Sequence, residues 1–275
     1  MHDIEAFLAE FGYFCNATNT GKTMLITRLL KKYLTTFGRY LILMGRTFSI
    51  PERMRMFMKQ YTKEMSQLGV DSIPIVLLIS FFIGAVICIQ MKVNIQSPWM
   101  PKWTTGYVTR EILFLEFSSS IMCLILAGKV GSNIASELGT MRVTQQIDAL
   151  DIMGVNSAEY LILPKIMGLV TIMPFLVIFS AAMGVAGAYA TAYVGHMLSP
   201  EDLTAGLHHA FNAWFIWMSV IKSLFFAFII SSVSSFFGYM VDGGSVEVGK
   251  ASTDAVVSSS VLILFSDVFL TQILS

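Results

Sequence analysis

The sequence predicts an all-α membrane protein, with about five transmembrane helices preceded by an N-terminal amphipathic helix lying in the interface. Three observations predict it. The 275 residues are 55% hydrophobic and only 13% charged, too apolar for a water-soluble globule of this size. Five stretches approach the roughly 20 apolar residues that about 30 Å of hydrocarbon requires at about 1.5 Å per residue. Lys and Arg gather on the segments that an odd number of crossings places on one side.

The expected spans are residues 73–91, 112–128, 166–194, 214–240 and 255–274. The first ends at Lys92, the second is interrupted by Glu116, and the third is long enough to tilt or to kink at Pro174. With the N-terminus inside, the cytoplasmic flanks hold Lys22, Arg28, Lys31, Lys32, Arg39, Arg46, Arg53, Arg55, Lys59, Lys63, Lys129, Arg142, Lys165 and Lys250. The opposite flanks hold Lys92, Lys102 and Arg110. This asymmetry predicts N-inside and C-outside. It also divides the chain into a cytoplasmic and interfacial segment, 1–70, and a membrane domain, 71–275.

Within the first segment, Leu34, Phe37, Leu41, Met44 and Phe48 recur at helical spacing beside Arg39 and Arg46. The apolar part is too short to cross, so a helix on the cytoplasmic surface is expected, its basic residues toward anionic headgroups. The longest polar stretch of the membrane domain lies in the loop 129–165. There Val143, Ile147 and Leu150 share one helical face while Arg142, Gln145, Gln146 and Asp148 point elsewhere, with Gly139 and Gly154 as breaks. A cytoplasmic amphipathic helix of this kind is a docking surface.

The formal net charge is zero, so no basic field exists to hold nucleic acid. Cys88 and Cys123 lie in apolar runs and Cys15 stands alone, which is neither a disulfide framework nor a metal-ligand spacing. Asp3, Glu5 and Glu10 interrupt the start, unlike a secretory signal. The string Thr20-Gly21-Lys22-Thr23 imitates a phosphate loop, but Asn16 stands where the first glycine is needed. No nucleotide site is expected here; if ATP is used, another chain binds it. His208 and His209 lack further ligands at metal spacing. The serine runs 118–120, 231–235 and 258–260 lack a nucleophile's setting and suit helix packing, as does the small-residue row Ser180, Gly184, Ala188 and Ala192.

The strongest chemical signal is three ionisable residues inside spans: Glu116, Lys222 and Asp267. Each costs about 2.5 to 3.5 kcal/mol in hydrocarbon on insertion scales, so each should face protein or a wet cavity. A transport path and a structural ion pair both satisfy that demand. Asp267 also sits close enough to a span end to be interfacial.

The residues then resemble a known family. Gly69-Val70-Asp71-Ser72, Phe82-Ile83-Gly84-Ala85, the unbroken block from Ala127 to Leu150, Met153-Gly154-Val155, Pro164-Lys165, Glu247-Val248-Gly249 and Asp267 look like permeases of the MlaE/YrbE type. The resemblance covers roughly residues 60 to 275, and its central polar block is not forced by a span. It implies the membrane subunit of an ABC system moving phospholipids between the membranes of a bacterial envelope, located in the inner membrane and paired with a second copy of itself. It implies a cytoplasmic ATPase holding ATP and Mg, an MCE-type periplasmic lipid-binding protein and a small STAS-type regulator. By the same resemblance, Glu137, Gly139, Arg142, Gln146, Asp148, Leu150 and Asp151 fall in the ATPase-coupling region, and Glu116 and Lys222 near the lipid path. The family's Arg-Glu-Leu-Gly-Pro is here Leu115-Glu116-Phe117-Ser118-Ser119. An ion-coupled secondary transporter with Glu116, Lys222 and Asp267 as a relay, or a non-transporting scaffold, remain alternatives.

Overall fold

The computed structural model describes residues 34–49, 54–95, 99–195 and 199–274. The phosphate-loop-like string, Cys15, the early acidic residues and Arg53 lie outside them. The chain divides into two compact units, Met1–Arg46 and Thr47–Ser275. Residues 34–47, here α1, are helical.

Among the described residues, five helices are long and apolar enough to cross a membrane: α2 (Met54–Asn94), α3 (Thr104–Val143), α5 (Ser157–Gly195), α7 (Trp214–Tyr239) and α8 (Ser245–Leu274). Two short helices lie at opposite ends of this bundle, α4 (Gln146–Ile152) and α6 (Pro200–His208). Several helices far outrun their apolar stretches. α2 has 41 residues and α3 has 40, or about 60 Å of helix against about 30 Å of hydrocarbon. Much of the stretch expected as a loop at 129–165 is therefore helix, continuous with the spans on either side.

The polar end of α3 stays helical because it remains packed. Ile134, Ala135 and Leu138 are buried against α7 and α8. Gly139 is no break: it lies inside α3, where a Cβ would meet Val248 at 3.1 Å and Val241 at 3.3 Å. The break falls at Gln145, which takes a left-handed backbone with φ of 59°. Val143 and Ile147 thus belong to different helices rather than to one face. Gly154 does end α4, with φ of +78° and nothing within 4 Å of an added Cβ. Gly154→Ala is accordingly expected to cost about 1 kcal/mol through backbone strain alone, read as a small drop in melting temperature of the purified protein.

The row Ser180, Gly184, Ala188 and Ala192 is an internal seam. It faces a matching row on α2: Val76, Ser80, Gly84 and Cys88, all buried. The Ser80 and Ser180 hydroxyls lie 2.8 Å apart, and Cys88, Ala188, Ala192 and Leu203 of α6 close one end of the seam. α5 accommodates Pro164 and Pro174 within an unbroken helix.

Candidate functional site

The three intramembrane charges converge. Lys222 of α7 is fully buried, with its Nζ 2.9 Å from Asp267 Oδ1 of α8 and 3.6 Å from Glu116 Oε1 of α3. It also donates to the Leu115 carbonyl at 3.4 Å. The Asp267 approach is a charge contact without hydrogen-bond alignment, since Oδ1 accepts no hydrogen bond. Asp267 is therefore tied into the bundle. Lys222 lies eight residues into α7, about 12 Å along the helix from its first residue.

Local backbone geometry sets this site up. Leu113–Ile121 of α3 adopts a π-helical turn, a wider coil that often marks functional positions. Ser118 and Ser119 fold their hydroxyls back onto the carbonyls of Phe114 and Leu115 at 3.2 and 2.9 Å, sparing them an unpaired state in an apolar medium. The site is lopsided: the Glu116 side chain is 46% exposed, against 16% for Asp267 and none for Lys222. A carboxylate half-open on the flank of a spanning helix demands a polar neighbour outside the chain, whether water, a headgroup or another protein. The helix carrying Asp267 presents Val261, Leu264, Phe265 and Val268 to the same apolar surroundings.

At the α4 end, Arg142 reaches over the helix break to Asp148 at 2.6 Å and lies over the Tyr239 ring at 6.0 Å. Tyr239 in turn shares a hydrogen bond with Ser157 at 2.8 Å, and Asp151 accepts from the Ser157 amide at 3.4 Å. The short helix is thus pinned to α3, α5 and α7. Gln146 is exposed at its start, and the Leu150 carbonyl accepts from Val155 at 3.1 Å. Ile147 is buried, whereas Ile152 and Met153 at the tip are 87% and 68% exposed. Both lie within the coupling region that the resemblance implies, but the sequence reading did not single them out. The signal was there: five residues beyond Ile147, Ile152 falls on the opposite side of the helix, and apolar residues off the buried face need another partner.

Two cations read as loop residues are buried instead. Lys165 is 1% exposed and bridges Glu64 at 2.8 Å and Glu137 at 2.5 Å. Arg110, 2% exposed, pairs with Glu111 at 2.6 Å and donates to the carbonyls of Leu207 and His209 at 2.8 and 2.9 Å. It thereby caps α6 at its C-terminal end. His209 packs against Trp103 with ring centroids 3.8 Å apart and the planes tilted by 43°.

Comparison with known proteins gives this geometry a family. The family described as Permease MlaE matches residues 61–273, a range that takes in most of α2, all of α3, α5 and α7, and nearly all of α8. A probable ABC transporter permease protein of Rickettsia felis is 31% identical over 255 residues, covering 88% of this chain and 93% of the relative. One from Synechocystis is 30% identical over 212 residues, 77% of this chain and 80% of the relative. The chloroplastic protein TRIGALACTOSYLDIACYLGLYCEROL 1 of Arabidopsis thaliana is 31% identical over 210 residues, 76% of this chain and 60% of its own length. A match across nearly the whole spanning unit, with relatives of this similarity over most of their length, makes the chain a member of the MlaE permease family, a multi-pass membrane permease subunit.

Proposed function

We propose that the chain is the permease of an ABC transporter that moves phospholipids between the inner and outer membranes of a bacterial envelope. The observation that carries the reading is the open charge cluster: a buried ammonium held by two carboxylates, one of them half-exposed beside an apolar helix surface. A phospholipid needs that juxtaposition, polar contact for its headgroup and apolar contact for its acyl chains. The galactolipid in the name of the Arabidopsis thaliana relative supports a lipid cargo. Two copies flank the path, each contributing Glu116, Lys222 and Asp267. The N-terminus and α4 face the cytoplasm, and the C-terminus faces the periplasm.

The chain supplies no hydrolysis on this reading. ATP and Mg sit on a cytoplasmic ATPase that docks on α4, where Ile152 and Met153 are the apolar anchors and Asp151 the charged rim. The residues from Glu137 to Asp151 relay its motion to α3, α5 and α7, biasing the permease between two states. An MCE-type periplasmic protein receives or delivers lipid, and a small STAS-type protein regulates the ATPase.

Extraction into lipid nanodiscs followed by identification of co-purified chains and lipids tests the assembly. An ABC ATPase and phospholipid are expected with the wild type. Ile152→Glu combined with Met153→Glu is expected to reduce ATPase recovery about tenfold or more, as loss of an interface anchor does, with unchanged elution of the permease. Wild-type permease that carries no ATPase, or a double variant that retains it with unaltered lipid transfer, sinks the reading. The charge-reversed pair Asp148→Lys and Asp151→Lys should behave like the apolar double variant.

A further inference from the structure

At the α4 end of the bundle two sets of close helix contacts meet, with α5 and α7 packed on each other between them. α2 and α5 form the first. Gly168 brings α5 so close that an added Cβ would lie 3.2 Å from the Met65 backbone nitrogen, and Tyr61 donates to Thr171 at 3.0 Å. The end of α3 with α7 and α8 forms the second. A Cβ on Gly238 would lie 2.6 Å from the Ala135 carbonyl oxygen, and Ser252 donates to the Ser132 carbonyl at 3.1 Å.

Lys165 belongs to the first group and bridges to the second. Its two carboxylate partners are 101 and 28 residues away in sequence, Glu64 on α2 and Glu137 on α3. Three buried or half-buried charges at a helix junction are weak as a source of stability, because apolar residues of similar volume commonly do as well. Their distinctive property is that they make a junction discrete, held or released.

We propose that Glu64, Lys165 and Glu137 form a charge clamp that holds the α4-bearing end of α3 on the α2 and α5 pair. The clamp opens at Glu137 when the permease changes state, and Lys165 stays with Glu64. Burial selects the side that opens. The side chains of Lys165 and Glu64 are each 1% exposed, while that of Glu137 is 33% exposed. Releasing Glu137 completes the hydration of a carboxylate already in part wet, whereas releasing Glu64 would strand one in a dry site. Glu137 also stands five residues before Arg142, the residue that grips Asp148 of α4. Displacement of α4 therefore reaches the clamp through about one and a half turns of α3. Lys165 is a positioning residue, acting through α3 without touching cargo.

The clamp rests on the transport reading only for the force that opens it; the hold is a property of this chain. Electron-spin distance measurements test both, with labels on Thr62→Cys and Thr140→Cys, exposed positions on α2 and α3. The background replaces Cys15, Cys88 and Cys123 by Ala, and the sample is the complex purified with its ATPase in nanodiscs. Once the distances between copies are assigned from singly labelled protein, the wild type without nucleotide should show one narrow distance within each chain, and ATP with vanadate should add a second, longer one. Glu137→Gln should raise the longer population in nucleotide-free protein about tenfold, the low end for a charge-assisted hydrogen bond. Lys165→Met made together with Glu64→Gln, which leaves no buried charge unpaired, should do the same, and Lys165→Arg should restore the single distance. An unchanged nucleotide-free distribution in Glu137→Gln and in the Lys165→Met double variant overturns the hold. A hydrolysing complex whose distance ignores nucleotide overturns the opening. If no ATPase co-purifies, the transport reading fails, and the nucleotide-free comparison still decides the clamp.

Discussion

Lys222→Met is expected to lower lipid transfer by more than tenfold and to reduce the yield of folded protein. The ammonium is fully buried and faces Asp267 at 2.9 Å and Glu116 at 3.6 Å. Removing one member of a buried pair costs about 3–5 kcal/mol, because the other charge is left uncompensated. That figure applies to the Lys222–Asp267 contact; Glu116, nearly half-exposed, contributes less through solvent screening. Loss of yield alone would not separate a lipid path from a structural tie. The triple neutral variant Glu116→Gln, Lys222→Met, Asp267→Asn does, since it removes the cluster without stranding a charge. Its folded yield should recover toward wild type while transfer between donor and acceptor vesicles stays low. Wild-type transfer by the triple variant would reduce the cluster to packing.

How much of this was legible in the sequence follows from what hydropathy measures. Runs of apolar residues reveal where hydrocarbon lies, so five spans and the span 214–240, observed as Trp214–Tyr239, were readable. They do not reveal where helix ends. Ser132–Val143 is polar enough to pass for a loop, yet it stays helical because Ile134, Ala135 and Leu138 pack on α7 and α8. The first 19 residues of α2 before the expected span are hidden for the same reason: Glu64 and Leu68 are buried against other helices. Charges in apolar runs stand out, so Glu116, Lys222 and Asp267 could be named. Glu137 could be placed only in the coupling region, by resemblance, and Lys165 only as a flanking cation; nothing in the sequence pairs them, and only the fold brings Glu64 to them. Gln145 gave no sign of a left-handed backbone, since the residue that usually marks one is glycine.

Gly84→Leu is expected to be the most damaging single change in the apolar part of the bundle. A Cβ at Gly84 would fall on the backbone of Gly184, and one at Gly187 on the Phe81 carbonyl. Neither obstacle is a flexible side-chain end, so the two longest-packed helices would have to separate, losing the Ser80 to Ser180 hydrogen bond. Overpacking that displaces backbone costs about 3 kcal/mol or more. Folded protein should fall steeply in size-exclusion profiles of detergent extracts. Gly249→Ala, with nothing within 4 Å of the new Cβ, should leave the profile intact. A Gly84→Leu protein that elutes and melts like wild type would mean that α2 and α5 are not in close contact in the membrane. The outcome bears on assembly as well. With its small residues spent on α2, the α5 row is not available to a second copy.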